Sequence, residues 1–217
     1  MGIVLFLILI VFVFVGIRLT NDVPAISSGT LPAPVEFDHR YARYPWLAYG
    51  HIVPGVIYLV LAPIQLWRGF RDRHIGWHRR IGRVALTAGL VSGVLGFTFG
   101  LFFAFGGPIE AVAAVVFGAW FVACLVTAYR AIRRKDMRTH RRWMIRAFAV
   151  GVAVGTIRIW VGLFEGFGLL SFREGLALAF WLGWLLHVAA AELWLRWRPG
   201  PAGREKEPIR VAEPALP

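Results

Sequence analysis

Six apolar segments, most of them close to twenty residues long, dominate this chain of 217 residues. A segment of about twenty apolar residues is long enough to cross the hydrocarbon core of a bilayer as a helix. The predicted spans cover residues 3–17, 46–67, 84–105, 109–129, 143–164 and 176–195. We therefore predict an all-α integral membrane protein with six transmembrane helices.

The composition supports this fold class and excludes others. Hydrophobic residues make up 58% of the chain and charged residues 17%, which does not suit a water-soluble globular domain. The net charge of +12 comes mainly from arginine, and in so apolar a chain it indicates loops that face lipid phosphates rather than nucleic acid. The single cysteine, Cys124, excludes a disulfide framework and a cysteine-ligated metal or iron–sulfur site.

The basic residues are distributed unevenly between the predicted loops. Nineteen of the 24 fall in the connections after the second and fourth spans or in the C-terminal tail. Because basic loops stay in the cytoplasm, we expect both termini to be cytoplasmic.

The same pattern divides the chain into regions. Residues 1–19 are predicted to be a transmembrane anchor rather than a signal peptide, because a basic start and a small-residue cleavage pattern are missing. Residues 20–45 form an extracytoplasmic segment, residues 46–197 a five-helix membrane domain, and residues 198–217 a disordered cytoplasmic tail.

An internal repeat is predicted within the membrane domain. An offset of 62 residues aligns the two basic connections without a gap and continues into the helices that follow them. The matched pairs include His78 with His140, Gly89 with Gly151, Gly93 with Gly155 and Gly100 with Gly162. We therefore expect a four-helix core made of a tandem two-helix repeat, residues 46–105 and 109–164, with the first and last spans added outside.

His78 and His140 are the first candidates for chemistry, because each begins a helix in the string His-Arg-Arg. Two histidines related by a pseudo-twofold axis have the arrangement that a bis-histidine haem b requires. Gln65 and Trp143 are further candidate cofactor contacts. The alternative is that the histidines cap their helices while neighbouring arginines bind lipid phosphate. Those candidate arginines are Arg79, Arg80, Arg83, Arg141, Arg142 and Arg146.

A second candidate site lies toward the other end of the helices. An arginine inside a spanning helix is costly unless it is paired or faces a polar cavity, and Arg158 is such a residue. His51 is expected at a similar depth. Glu165, seven residues after Arg158, is expected to neutralise it or to share a ligand site with it. Glu192 is expected to pair with Arg196 one turn later.

The chain resembles a bacterial family of predicted membrane proteins, domain-of-unknown-function family 2306, from His51 to Glu192. The family pattern has Trp in place of Arg80 and Asn in place of His187. The resemblance implies a helical integral membrane protein and no particular activity; we expect its location to be the bacterial inner membrane. A more distant similarity in fold to transmembrane b-type cytochromes rests on two-helix repeats with histidines near helix ends. The matching residues are His51, Pro63-x-Gln65, His78-Arg79-x-x-Gly82-Arg83, His140-Arg141-Arg142-Trp143-Met144-Ile145-Arg146, Arg158, Trp181-x-x-Trp184 and Glu192.

Three functions remain open at this point. The first is electron transfer through haem b between a quinol pool and a partner protein. The second is a non-redox protein in which the basic residues bind anionic lipid while His51 and Arg158 line a pocket for a small anionic ligand, in transport for example. The third is an accessory subunit without a cofactor. Whether the protein is an enzyme is left open.

Overall fold

The structure, a computed structural model, describes residues 2–197, and the predicted disordered tail lies outside them. Within this range the chain forms helices joined by short connections and contains no strand. The helices are α1 (Gly2–Ser28), α2 (His39–Arg43), α3 (Pro45–Leu66), α4 (Arg68–Arg73), α5 (Ile75–Phe103), α6 (Pro108–Arg133), α7 (Met137–Gly166) and α8 (Phe172–Trp197).

The prediction of six membrane-spanning helices is confirmed. Six of the described helices, α1, α3, α5, α6, α7 and α8, are long and apolar enough to cross a membrane. Two of them differ clearly in extent from the prediction. Helix α5 begins at Ile75, nine residues before the predicted span, and α1 continues to Ser28. Arginines at the start of α5 lower its hydropathy without weakening the helix, because Arg is a good helix former.

The connections place the basic residues together. The end of the bundle formed by α4, the α6–α7 connection and the end of α8 is called the basic end, and the other the opposite end. At the basic end, Asp136 caps α7 by accepting a hydrogen bond from the Thr139 N–H at 2.9 Å. At the opposite end, Pro45 and Pro108 begin α3 and α6, where a missing N–H costs nothing.

Helices α3, α5, α6 and α7 pack around a common interior. Among these four helices the most extensive packing is that of α3 against α5, followed by α6 against α7 and α5 against α6. Helix α8 covers α6 and α7, and α1 lies mainly against α7. The interior is filled by a continuous hydrophobic cluster whose fully buried members include Leu125, Ile157 and Leu176.

Two observations agree with the predicted repeat. Helices α5 and α7 begin 62 residues apart, at Ile75 and Met137. The matched glycines Gly89 and Gly151 lie on two sides of one buried ring, that of Tyr58. The other matched glycines have different neighbours, since Gly93 faces α6 whereas Gly155 faces α1. The tandem repeat is therefore not confirmed and remains a prediction.

Candidate functional site

Arg158 lies on α7 near the opposite end, two turns before the helix ends at Gly166. Its guanidinium carbon is 5.3 Å from the centre of the Phe14 ring of α1. Among residues 2–197, no hydrogen bond or ion pair joins Arg158 to another residue. The side chain is half-buried, so part of it is accessible from outside the packed interior of the bundle.

The charges around Arg158 come from three other segments. Glu110 on α6 and Tyr41 on α2 are within electrostatic range, and so are Arg18 and Arg40. We define the Arg158 crevice by Arg158, His51, Tyr41, Glu110 and Phe14. Since Glu110 attracts Arg158 without touching it, the guanidinium keeps its hydrogen-bond donors free for another acceptor.

The two arginines within electrostatic range of Arg158 already have partners. Arg18 donates to Asp38 at 2.6 Å and lies 3.4 Å from Asp22. Arg40 donates to the carbonyl of Phe103 and lies over the Phe37 ring, with its guanidinium carbon 4.3 Å from the ring centre. Arg158 therefore differs from both in offering a charge that no described residue has bound.

Glu110 is the acidic residue of the crevice, and it is 4% exposed. One of its carboxylate oxygens accepts a hydrogen bond from the Gly106 N–H at 2.5 Å, just before the start of α6. Negative charge at a helix N-terminus is favourable, so this carboxylate stabilises the helix as well as attracting Arg158 and Arg40. Glu110 was not among the predicted site residues, because its only signal in the sequence is its place in the first turn of α6.

His51 contributes a ring nitrogen to the crevice. Its Nδ1 lies 2.8 Å from the Ser92 carbonyl oxygen of α5, and a carbonyl only accepts, so Nδ1 carries the proton. The Ser92 hydroxyl donates in turn to the His51 carbonyl at 2.9 Å. The remaining nitrogen, Nε2, then has a free lone pair, and His51 is within electrostatic range of Arg158.

The expected pairing of Arg158 with Glu165 is wrong. Glu165 is exposed in the last turn of α7 and forms no ion pair with Arg158. Seven residues along a helix correspond to about 10 Å, too far for a direct contact between two side chains that point the same way. Glu165 therefore does not neutralise Arg158 by direct contact, and its part in a ligand site remains a prediction.

At the basic end the two predicted haem histidines lie close enough to interact electrostatically. His140 places its Nδ1 2.9 Å from the Ala128 carbonyl oxygen of α6, whereas the Nδ1 of His78 is buried without a partner. Both are in the first turns of their helices, as predicted.

Side chains occupy part of the interior next to His78. The Gln65 side chain lies against Gly82, one turn from His78, and Tyr58 fills the interior further along. A groove of about 420 Å³ lies between α6 and α8 and includes neither histidine. Residues 2–197 contain no cluster of three or more His, Cys, Asp or Glu suited to a metal. The described residues therefore give no support for haem b.

Trp143 packs in the bundle instead of facing the histidines. Its ring lies 5.7 Å from that of Trp120, measured between centroids, and 4.7 Å from the Arg146 guanidinium carbon. Arg146 itself forms a two-point ion pair with Glu192 of α8, at 2.6 and 2.9 Å. Two predictions are thereby corrected: Arg146 is not free for lipid phosphate, and Glu192 pairs across helices rather than with Arg196.

The other five candidate lipid-binding arginines lie near the basic end with different exposure. Arg79, Arg80 and Arg83 on α5 are exposed, while Arg141 and Arg142 on α7 are half-buried. Arg141 is within electrostatic range of Arg68 and Arg71. The basic end therefore presents a surface of positive charge.

The fold and the crevice together define a helical integral membrane protein with six spanning helices and an arginine set inside the bundle. Residues 48–195 match the model of the family described as "Predicted membrane protein (DUF2306)", so the chain belongs to this family. The matched stretch contains His51, Glu110 and Arg158, whereas Phe14 and Tyr41 precede it. No curated protein and no solved structure matches the chain.

Proposed function

We propose that this membrane protein binds a small anionic molecule in the Arg158 crevice. The observation that carries the proposal is the lack of any hydrogen-bonded or ion-paired partner for Arg158 among the described residues. An arginine inside a spanning helix is costly unless it is paired or faces a polar cavity, so an arginine without such a partner indicates a functional site.

The crevice indicates the chemistry of the ligand. A guanidinium offers two parallel N–H donors, which match the two oxygens of a carboxylate or phosphate. The Nε2 lone pair of His51 accepts a hydrogen bond, so a hydroxyl or N–H group on the same ligand would find a partner. Glu110 repels a second negative charge, which favours a monoanion over a polyanion. A small hydroxy acid satisfies all three conditions.

Thermal unfolding of the purified protein in detergent tests this proposal. The probes are lactate, acetate and inorganic phosphate, each compared with chloride at equal ionic strength. A ligand at 100 times its Kd stabilises the folded state by about 2.7 kcal/mol, which raises the Tm. Lactate should raise it most, because it carries both a carboxylate for Arg158 and a hydroxyl for His51. Arg158→Gln should abolish the rise, and the matched control Arg173→Gln, an exposed arginine on α8, should retain it. An equal rise in the Arg158→Gln variant, or none in the unaltered protein, would refute the proposal.

We also propose that the basic end faces the cytoplasm of a bacterial inner membrane and binds anionic lipid there. The exposed side chains of Arg79, Arg80 and Arg83 support this proposal, because basic residues near the cytoplasmic surface attract anionic headgroups. A cysteine introduced at the exposed Arg134 should resist an impermeant thiol reagent in intact cells and react after lysis. Reaction in intact cells would reverse the orientation.

Electron transfer from quinol to a protein partner is a second candidate, favoured by the closeness of His78 and His140. It has less support than anion binding, since Gln65 occupies the interior one turn from His78. An absorbance spectrum of the purified protein decides between them. We expect no reducible Soret band, and a low-spin spectrum lost in both His78→Ala and His140→Ala would restore the haem hypothesis.

A further inference from the structure

Three polar side chains of α3 follow one another at intervals of seven residues: His51, Tyr58 and Gln65. Seven residues are close to two helical turns, so the three share one face and are spaced by about 10 Å along the helix. Each contacts a glycine of α5. We call these three residues the polar ladder; it extends from the Arg158 crevice nearly to the basic end.

The glycines of α5 give the polar ladder its space. A Cβ added at Gly89 would lie 2.9 Å from Cδ2 of Tyr58, and one added at Gly82 would lie 3.0 Å from Oε1 of Gln65. A Cβ at Gly96 would collide with the His51 ring. The glycines therefore allow polar side chains to lie between α3 and α5, inside the bundle and away from lipid.

Several polar atoms along this line are buried without a partner. They are the Tyr58 hydroxyl, Nε2 of Gln65 and Nδ1 of His78, one turn before Gly82. Tyr58 is 2% exposed, so its hydroxyl has no access to bulk water. An unsatisfied buried polar group costs about 1–3 kcal/mol, and ordered water is the usual means of satisfying it.

The unpartnered atoms lie between the bundle centre and the basic end, and the ladder continues to the crevice on the other side. Ser92 on α5 bonds to His51 and is 4% exposed, which adds a hydroxyl between His51 and Tyr58. A gap of about 10 Å corresponds to three or four hydrogen-bond steps of about 2.8 Å. Linking the polar groups into one chain would take two or three water molecules in each gap.

We infer that the polar ladder, together with ordered water, forms a proton path from the basic end to His51. The positive charge of Arg158 blocks proton movement at the end of the path that meets the crevice. Protons move along such a chain when each hydroxyl, imidazole or water accepts one proton and releases another, which leaves the groups unchanged. A fixed guanidinium near the end of the path raises the energy of an excess proton there. An anion bound to Arg158 would remove this barrier; that last step rests on the proposed function, but the path itself does not.

Proton flux into reconstituted vesicles tests the inference without any added ligand. Vesicles contain a trapped pH-sensitive dye, and valinomycin with a potassium gradient supplies the voltage and the compensating charge. We expect the unaltered protein to conduct no faster than protein-free vesicles. Arg158→Gln should raise the flux at least tenfold, because the barrier is gone.

The path is tested by blocking it in the open variant. Adding Tyr58→Phe or Gln65→Leu to Arg158→Gln should return the flux to the level of protein-free vesicles. The matched control Tyr129→Phe, which removes an exposed hydroxyl of α6, should leave the raised flux intact. Size-exclusion chromatography and circular dichroism of every variant establish that it is folded.

The remaining outcomes overturn the inference. An Arg158→Gln flux no higher than that of protein-free vesicles would mean that no path exists. Equal flux with and without the Arg158→Gln change would mean that Arg158 is not the barrier. A flux that survives both Tyr58→Phe and Gln65→Leu would mean that the protons travel elsewhere. Anion-dependent stabilisation is measured separately, so either proposal can fail alone.

Discussion

Two glycines of α7 make a sharp test of the packing around Tyr58. A Cβ at Gly151 would lie 2.9 Å from Cε1 of the Tyr58 ring and 3.6 Å from Cδ2 of Leu59. A Cβ at Gly162, three turns later on the same helix, would have no heavy atom within 4 Å. Replacing each by alanine therefore makes the same chemical change in a packed and in an open position.

The two substitutions share one free-energy term and differ in another. Alanine is favoured over glycine in a helix interior by about 1 kcal/mol, and this gain applies at both positions. Adding a methyl group to a filled core costs about 1–3 kcal/mol, and only Gly151→Ala incurs this cost. We expect Gly162→Ala to leave the free energy of unfolding unchanged or to raise it slightly. The free energy of unfolding of Gly151→Ala should be about 1–3 kcal/mol lower than that of Gly162→Ala.

Equilibrium unfolding in mixed micelles, followed by circular dichroism, measures both free energies of unfolding. A double-mutant cycle then assigns the cost to the ring. In a Tyr58→Leu background the ring carbon at 2.9 Å is absent, so Gly151→Ala should become about as favourable as Gly162→Ala. Equal stabilities of Gly151→Ala and Gly162→Ala in the unaltered background would refute the packing described for Tyr58.

Two further predictions concern the helix α7 contacts at the basic end. Glu192→Gln should lower the free energy of unfolding by about 1–3 kcal/mol, because it weakens two short charge-assisted hydrogen bonds from Arg146. The control Arg79→Gln, on the exposed surface, should change the free energy of unfolding little. Chemical unfolding of both variants measures the difference. The hydrogen bonds from Thr139 lower the pKa of Asp136 below its ordinary value of 3.8, so its stabilising effect is complete above pH 3.8 and is lost as the pH falls through the depressed value. Stability measured from pH 5 downward should fall less steeply in Asp136→Asn, which keeps a capping oxygen but cannot titrate, and an identical pH profile would contradict this.

The spans were predictable because each is encoded in a contiguous stretch of sequence. Hydropathy depends only on neighbouring residues, so all six helices were found. The early start of α5 was missed because arginines interrupt the apolar pattern there while the backbone hydrogen bonds continue. The position of the helix end depends on local backbone geometry, which hydropathy does not report.

The candidate sites were predictable only in part, because they depend on contacts between helices. The depth of Arg158 followed from its place in the span, yet its carboxylate neighbour belongs to α6 and not to its own helix. The same limit applies to Glu192, whose partner Arg146 lies 46 positions away. In both cases the expected partner was the one at helical spacing in the same helix, and the observed one comes from a different helix.

The polar ladder shows what determines such contacts between helices. His51, Tyr58 and Gln65 are spaced seven residues apart along α3. The glycines that they contact are also spaced seven residues apart along α5, in the reverse order: Gly96, Gly89 and Gly82. Two antiparallel helices with the same spacing can be aligned at several registers, so neither pattern alone decides which side chain meets which glycine. In any other register, a polar side chain of α3 would face a residue larger than glycine, or a glycine of α5 would face no polar side chain. In the observed register each of the three polar side chains contacts a glycine. This register places His51 at the Arg158 crevice and Gln65 near His78, and both the anion site and the proton path depend on it.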